Sequence, residues 1–151
     1  MKSLHRGWVF VLALLLSGCA ATGTDNMTDR LKPCPASPNC VCSDDDGMLH
    51  NIAPLKVSED IASTWQTLVE ILQQDKQFTV LTNDTNRYLR GEARTSILRF
   101  VDDVEFQARP DEGVIAMRSA SRLGFSDLGA NRRRMERLRA TLVERGVVQA
   151  L

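Results

Sequence analysis

The chain has 151 residues, with 19 basic and 19 acidic side chains and a formal net charge of zero. Removal of a signal at residues 1–18 would take away Lys2 and Arg6 but no acidic residue, leaving 133 residues with 17 basic and 19 acidic side chains. This length allows one domain with a substantial core but not two. The slight negative charge excludes the basic surface typical of nucleic-acid binders, so we expect no nucleic-acid partner.

The N-terminal segment has the features of an export signal. MKSLHR is positively charged, GWVFVLALLL is uninterrupted apolar sequence, and LSGC ends at Cys19. A charged start, an apolar run of about ten residues and a small-residue cleavage site predict a secretory signal over residues 1–18, too short to span a membrane. The LSGC ending resembles the lipobox of bacterial lipoproteins, which implies that Cys19 is lipidated and becomes the first mature residue. An ordinary signal peptide with an incidental cysteine is the alternative.

Lipidation of Cys19 implies a membrane partner reached through acyl chains, because two or three chains anchor far more firmly than one. Residue 20 is Ala rather than Asp, which in a cell with two membranes favours the outer membrane, facing the periplasm. Residues 19–32 comprise the lipidated cysteine and mostly small or polar residues, which indicate a flexible tether. The remaining residues, 33–151, form the predicted domain.

Three cysteines follow the tether, in the segment CPASPNCVCS. The export signal places them in a compartment that permits disulfides, and prolines stiffen the loop between Cys34 and Cys40. We predict a Cys34–Cys40 disulfide that stabilises by about 2 kcal/mol, with Cys42 left as a free or intermolecular thiol. Three unpaired thiols are one alternative. A metal site from the three cysteines and His50 is another, but the spacing lacks the short gap usual in structural zinc sites, and we expect no metal.

Hydrophobic periodicity predicts two helices. The first covers residues 58–74, with Ser58 as its N-cap and its apolar side chains on one face. The second covers residues 126–145, with Ser126 as its N-cap and Asp127 in its first turn, where a negative charge is favourable. Its inward stripe comprises Leu128, Asn131, Met135, Leu138 and Leu142.

Between the helices the pattern is that of strands, over residues 78–81, 87–94, 96–109 and 114–121. The turn sequence PDEG makes the last two strands an antiparallel hairpin. The predicted fold class is therefore α+β, as a single two-layer domain. Its antiparallel β-sheet has about four to six strands, and helices pack on one face of it.

Side-chain alternation assigns faces to the last two strands. Asp102 falls with the apolar residues of its strand and Asp103 on the opposite face, unless a bulge between them exchanges the two. On the last strand, Arg118 and Arg122 share one face and the serines share the other. An inward-facing Asp102 has to be paired with a cation or hydrogen-bonded, because an unpaired buried carboxylate is costly.

Asn131 is the polar exception in the inward stripe of the second helix. Its amide can satisfy a buried partner, and the candidates are Asp102 and the hydroxyls of Ser119 and Ser121. The arginines at 132–134 fan around the helix, so at most one or two of them can reach this region.

Four segments have a specific order, spacing and composition: CPASPNCVCS, IAPL at residues 52–55, FVDDVEF at 100–106 and RSASRLGFSDLGANRRRMERLR at 118–139. Together they resemble the bacterial family catalogued as domain of unknown function 1499, over residues 33–145. The resemblance implies an envelope protein or lipoprotein, in agreement with the export signal, and supports the fold and the position of a site. It implies no reaction. Cys42 stands where the resemblance leads us to expect Ser, which weakens any role for it.

Eight polar residues form the candidate site: Asp102, Asp103, Arg118, Ser119, Ser121, Arg122, Asp127 and Asn131. One interpretation is a structural network that docks the second helix on the sheet. The other is a pocket in which arginines, serines and a helix N-terminus bind a small anionic or lipidic ligand.

An enzyme is the third interpretation. Ser119 or Ser121 as a nucleophile would need a general base, and after signal removal the only histidine is His50. Neighbouring Asp102 and Asp103 point to opposite faces and cannot easily flank one bond. We therefore predict no catalytic residue and no cofactor, and expect a non-catalytic binding or envelope-maintenance lipoprotein. A hydrolase-like enzyme in the same cleft and a purely structural or protein-interaction module are the alternatives, and the oligomeric state stays open.

Overall fold

The computed structural model describes residues 31–84, 87–95 and 99–151. The predicted signal over residues 1–18, the predicted lipidation site Cys19 and most of the predicted tether lie outside these residues. The elements, in chain order, are β1 (Cys40–Cys42), β2 (Leu55–Lys56), α1 (Ile61–Gln74), β3 (Phe78–Asp84), β4 (Tyr88–Arg94), β5 (Val101–Arg109), β6 (Val114–Ser121) and α2 (Ala130–Glu144).

The six strands form one antiparallel sheet in the order β1-β6-β5-β4-β3, and β2 pairs with β6 on the same side as β1. The predicted α+β class with a sheet of four to six strands is confirmed. Neither β1 nor β2 was predicted, because strands of three and two residues are too short to show a period of two.

The helices cover one face of the sheet, and the core lies between the two layers. α1 buries Trp65, Leu68 and Leu72, and α2 buries Met135 and Leu142. The strand residues that meet them are Leu89, Ala93, Val104, Phe106, Ala108, Ile115 and Met117. Within the described ranges, neither helix is long and apolar enough to cross a membrane.

The register of β5 and β6 agrees with the predicted alternation. Asp102 pairs with Ser121, and Val104 with Ser119, so these side chains point toward the helices. Asp103 lies across from Ala120 and points away from them. We call the side of the sheet away from the helices the open face.

The start of α1 differs from the prediction. The N-cap is Asp60, whose carboxylate accepts a hydrogen bond from Ser63 N at 2.7 Å, which lowers the pKa of Asp60. Ser58 lies two residues before this cap, next to the antiparallel bridge between Val57 and Val148, and its backbone N–H donates to Val147 O at 3.0 Å. The predicted N-cap at Ser58 was therefore wrong by two residues.

The start of α2 also differs, because α2 begins at Ala130 rather than at residue 126. Leu128 and Gly129 both have left-handed backbone conformations, with φ of 52° and 80°, which interrupt any helix. The predicted inward position of Leu128 was wrong, since its side chain is exposed. Asn131, Met135, Leu138 and Leu142 of the predicted stripe are buried.

The N-terminal end of the described chain lies against the open face. Leu31, which the sequence predicts to lie in the tether, is buried in a cluster with Cys42 and Ala116, and Cys34 and Tyr88 pack against this cluster. The backbone N–H of Leu31 donates to Asp44 Oδ2 at 2.7 Å. The packed part of the chain thus includes Leu31, two residues before the predicted start of the domain.

Candidate functional site

The eight candidate residues separate onto the two faces of the sheet, because neighbouring strand residues point in opposite directions. Asp102, Ser119, Ser121, Asp127 and Asn131 lie on the helix side. The other three, Asp103, Arg118 and Arg122, lie on the open face. The structure therefore contains two clusters rather than one site.

Asn131 is the centre of the helix-side cluster and is fully buried. Its Nδ2 donates to Asn39 O and to Ser121 Oγ, both at 3.0 Å. Its Oδ1 accepts hydrogen bonds from Ser119 Oγ at 2.5 Å and from Arg134 Nη1 at 2.8 Å. Both amide hydrogens and both lone pairs are used, so this amide has no capacity left for a ligand.

Arg134 is the cation that neutralises Asp102. Its Nη2 lies 2.5 Å from Asp102 Oδ2, and its Nη1 donates to Ser119 Oγ at 3.0 Å. The Asp102 side chain is 2% exposed and that of Arg134 is 18% exposed. The sequence placed three arginines at 132–134 but did not identify Arg134 as the partner. Its position three residues after Asn131, on the same helix face, is the signal that could have done so.

Asp127 occupies the N-terminus of α2. Its Oδ1 accepts from Gly129 N at 2.8 Å and its Oδ2 from Asn131 N at 2.7 Å. These are the backbone groups that would bind an external anion at a helix N-terminus. The carboxylate of the chain itself fills that position.

Two further arginines of α2 hold the segment before β2. Arg132 Nη2 donates to Leu49 O at 3.1 Å and to Asn51 O at 2.8 Å. Arg139, which is buried, donates to Ala53 O and Pro54 O. Both were missed as structural residues, because a charged side chain that binds backbone carbonyls leaves no pattern in the sequence.

Arg122 forms a charge cluster on the open face. Its Nε and Nη2 bind the carboxylate of Asp103 at 3.0 and 2.8 Å, and Nη2 also binds Glu92 Oε1 at 2.7 Å. Arg90 adds a contact to Asp103 at 3.2 Å. The hydrogen bond from Arg122 lowers the pKa of Asp103, and hydrogen bonds to Asp103 and Glu92 raise the pKa of Arg122. Arg122 is thus already paired with carboxylates.

Arg118 lies deeper on the same face, beside the N-terminal segment. Its Nη1 binds Glu105 Oε2 at 2.8 Å, and Tyr88 donates its hydroxyl to Glu105 Oε1 at 2.6 Å. Burial and this hydrogen bond raise the pKa of Tyr88. Arg118 Nε has no hydrogen-bond partner among the described residues. This arginine too has a carboxylate as its principal partner.

The cysteines form the predicted Cys34–Cys40 disulfide, and Cys42 is a buried free thiol. The disulfide removes two of the sulfurs on which the metal alternative depended. Burial raises the pKa of Cys42, which disfavours its reactive thiolate form. In residues 31–84, 87–95 and 99–151, no group of three His, Cys, Asp or Glu side chains is placed to hold a metal ion.

The arrangement required for a serine nucleophile is not formed. Ser119 and Ser121 both contact Asn131, and the ring of His50 lies 3.0 Å from Cys40 O. Neither serine therefore has His50 as its hydrogen-bond partner. In the described part of the chain, the serine-nucleophile interpretation therefore lacks the histidine base on which it depended.

Two open clefts lie beside the helix-side cluster. The interhelix cleft, of about 260 Å³, lies between α1 and α2. Its lining comprises Ile71, Leu72, Phe78, Met135 and Leu138 with the polar residues Asp75, Arg134, Arg137 and Thr141. The edge cleft, of about 310 Å³, lies between β1 and the N-terminus of α2. Its lining comprises Pro38, Cys40, Val41, Leu49, Ser126, Asp127, Leu128, Gly129 and Arg132.

Comparison with known proteins adds a family. Residues 30–142 match the family described as "Protein of unknown function (DUF1499)". The chain belongs to this family. The matched range includes both polar clusters and begins one residue before the buried Leu31. No curated protein and no solved structure matches the chain. The suspected family is confirmed.

Proposed function

We propose that this protein is a lipid-anchored, non-catalytic binding protein of the bacterial envelope, with the interhelix cleft as its site for an anionic amphiphile. The LSGC sequence ending at Cys19 supports an acyl anchor, and Ala20 supports the outer membrane, facing the periplasm. The Cys34–Cys40 disulfide agrees with an oxidising compartment outside the cytoplasm.

The combination of lining residues in the interhelix cleft carries the proposal. Leu72, Met135 and Leu138 are buried apolar residues, and Arg134 and Arg137 line the same space. An apolar wall with cations is the chemistry that an acyl chain with a carboxylate or phosphate head group requires. Asp75 is the one carboxylate of the lining, and its Oδ1 accepts a hydrogen bond from Gln77 N at 2.8 Å.

Arg134 links this cleft to the helix-side cluster. Asp102, Ser119 and Asn131 hold its guanidinium in one orientation, and Asp102 balances its charge, so Arg134 would offer a head group its remaining N–H donors rather than an unpaired charge. The polar residues predicted from the sequence would then position the site rather than contact the ligand. Arg137 is exposed and would supply the more accessible charge.

Charge reversal on α2 tests the cleft. Native mass spectrometry of the full-length protein in detergent, titrated with oleate as the probe, should show one bound oleate. Arg137→Glu should weaken oleate binding about tenfold, as expected for the loss of one charge-assisted hydrogen bond. Arg145→Glu is the matched control, because Arg145 is exposed at the end of α2 and does not line the cleft.

The control should bind oleate as the wild-type protein does. Equal affinity of the Arg137→Glu and wild-type proteins, or no oleate bound by either, would reject the interhelix cleft as the site. Circular dichroism of each variant checks that the fold is retained, which we expect because both positions are exposed.

A further inference from the structure

Two neighbouring loops display a cluster of large apolar side chains to solvent. We define the loop surface as Met48, Leu49, Leu123, Phe125 and Leu128. These are five of the eight exposed large apolar side chains of the described residues, and Leu123, Phe125 and Leu128 are 72%, 77% and 84% exposed. Single exposed apolar residues are common in soluble proteins, but a cluster of this kind marks a contact site.

Specific hydrogen bonds hold the two loops beside the start of α2. Arg132 of α2 donates to Leu49 O, and Asn39 Nδ2 donates to Gly124 O at 2.7 Å. Leu49 and Leu128 both line the edge cleft of about 310 Å³. Leu49 and Leu128 therefore lie on one surface, and the backbone between Leu123 and Phe125 is held near it because Asn39 also bonds Asn131 of α2.

The backbone around Leu128 directs this side chain outward. Leu128 has a φ of 52°, a region that leucine rarely adopts. Ser126 Oγ accepts from Leu128 N at 3.2 Å, and Arg133 Nη1 donates to Leu128 O at 2.8 Å. The loop thus holds an apolar side chain in solvent by means of several polar contacts.

The charges around the loop surface nearly balance. Arg132 and Arg133 donate to backbone carbonyls, and in the described residues no carboxylate pairs with either of them. Asp45 and Asp46 lie in the turn before Met48. A surface of this kind would bind phospholipid through apolar insertion, with the arginines at the level of the phosphates, rather than through net attraction to anionic lipid.

The length of chain between the predicted anchor and the described residues favours the bilayer as the occupant. Eleven residues separate Cys19 from Leu31, and a tether of that length would have a root-mean-square span of about 20 Å if it is flexible as the sequence predicts. A domain of this size has a radius of gyration of about 14 Å. An acyl anchor on Cys19 would therefore keep the loop surface within reach of one bilayer at a high effective concentration.

We propose that the loop surface docks onto the phospholipid bilayer that carries the anchor, with Leu123, Phe125 and Leu128 entering the boundary between head groups and acyl chains. This docking rests on the lipid anchor of the proposed function and is independent of the interhelix cleft. It would set the domain in one orientation on the membrane and open the edge cleft toward lipid.

Site-specific fluorescence quenching tests the docking. The full-length lipidated protein is reconstituted into phosphatidylethanolamine–phosphatidylglycerol vesicles that contain nitroxide-labelled phospholipid. A fluorophore is attached at Ser126→Cys, which removes the hydroxyl that accepts from Leu128 N but leaves the apolar side chains and the bond from Arg133 to Leu128 O in place. The matched control is Thr79→Cys, because Thr79 is small, polar and exposed on β3, at the opposite edge of the sheet from β1. Among the described residues, the buried Cys42 and the disulfide leave the introduced cysteine as the accessible thiol, and acylation would block Cys19.

Membrane nitroxide should quench the label at position 126 at least about twofold more than the label at 79. Replacement of Leu123, Phe125 and Leu128 together by Ser should remove that difference while the protein stays folded, because all three are exposed. Equal quenching at the two positions overturns the docking. The docking is also overturned if the label at 126 becomes shielded in detergent without a bilayer and the shielding rises with protein concentration. A second copy of the protein would then cover the loop surface.

The mass of the N-terminal peptide from the same preparation shows independently whether Cys19 is acylated. An acylated Cys19 with equal quenching at the two positions overturns only the docking. An unmodified Cys19 overturns the lipid anchor of the proposed function, and the docking that rests on it.

Discussion

β5 and β6 present similar polar residues to both faces of the sheet, and the two faces use them differently. On the helix side, Asp102 and Arg134 form a single ion pair that shares hydrogen bonds with Ser119 and the buried Asn131. On the open face, Asp103 contacts two arginines, and its partner Arg122 is 39% exposed.

The difference shows that depth, rather than residue type, determines the energetic role of a charge. Removal of one partner of a buried pair leaves the other without solvent, whereas an exposed partner is rehydrated. Residues 118–134 therefore contribute both to a network that docks α2 on the sheet and to a surface charge cluster. The two are separated because side chains along β6 alternate between the faces of the sheet. Substitutions of Asp102, Glu105 and Arg122 test this difference.

The largest effect is expected for Asp102→Ala. Without the Asp102 carboxylate, the mostly buried guanidinium of Arg134 has no anionic partner, so the free energy of unfolding should fall by about 3 kcal/mol. Asp103→Ala is the matched control on the neighbouring position and should cause a much smaller loss. Urea denaturation followed by circular dichroism measures both. Equal losses in the two variants would contradict the distinction between the faces.

The positions of Asp102 and Asp103 show what a local pattern can determine. The alternation along β5 and β6 predicted which side chains point toward the helices, because the period of two belongs to each strand alone. It also placed Arg118 and Arg122 together, away from the serines. No knowledge of the rest of the fold was needed for these assignments.

The partner of Asp102 could not be assigned in the same way. Consecutive helix residues are rotated by about 100°, so a choice among the arginines at 132–134 depends on how α2 lies on the sheet. The start of α2 could not be predicted either. Ser126 and Asp127 are residue types that cap helices equally well, and the structure uses Asp127, whose carboxylate accepts from Gly129 N and Asn131 N. The interhelix cleft requires the relative placement of two helices, which neither helix sequence specifies.

An intermediate effect is expected for Glu105→Gln, which tests depth within the open face. The side chains of Arg118 and Glu105 are only 10% and 15% exposed, and Tyr88 also bonds Glu105. The variant keeps the shape but removes the charge, so the free energy of unfolding should fall by about 1–2 kcal/mol. The same change should move the pKa of Tyr88 back toward its ordinary value, because Glu105 contributes to raising it.

Ultraviolet titration measures the change in the pKa of Tyr88, and urea denaturation measures the change in the free energy of unfolding. A loss of unfolding free energy as large as that of Asp102→Ala would mean that this partly exposed pair stabilises the protein as much as the buried pair does. Depth of burial would then not determine the loss. A negligible loss would mean that water reaches this pair beside Leu31.

The smallest effect is expected for Arg122→Ala and depends on pH. The bond from Arg122 holds the pKa of Asp103 below its ordinary value of 3.8 in the folded state. A carboxylate with a lowered folded pKa stabilises the protein above its unfolded pKa, and the stabilisation disappears as the pH falls through the folded value. The wild-type protein should therefore be slightly more stable than the variant at neutral pH, and the difference should vanish in acid well below pH 3.8.

Carbon-detected NMR titration of Asp103 should show its pKa rising in the variant, although Arg90 still contacts it. An unfolded Arg122→Ala protein at neutral pH would show instead that this exposed cluster holds the sheet together, and the two faces would then be equivalent.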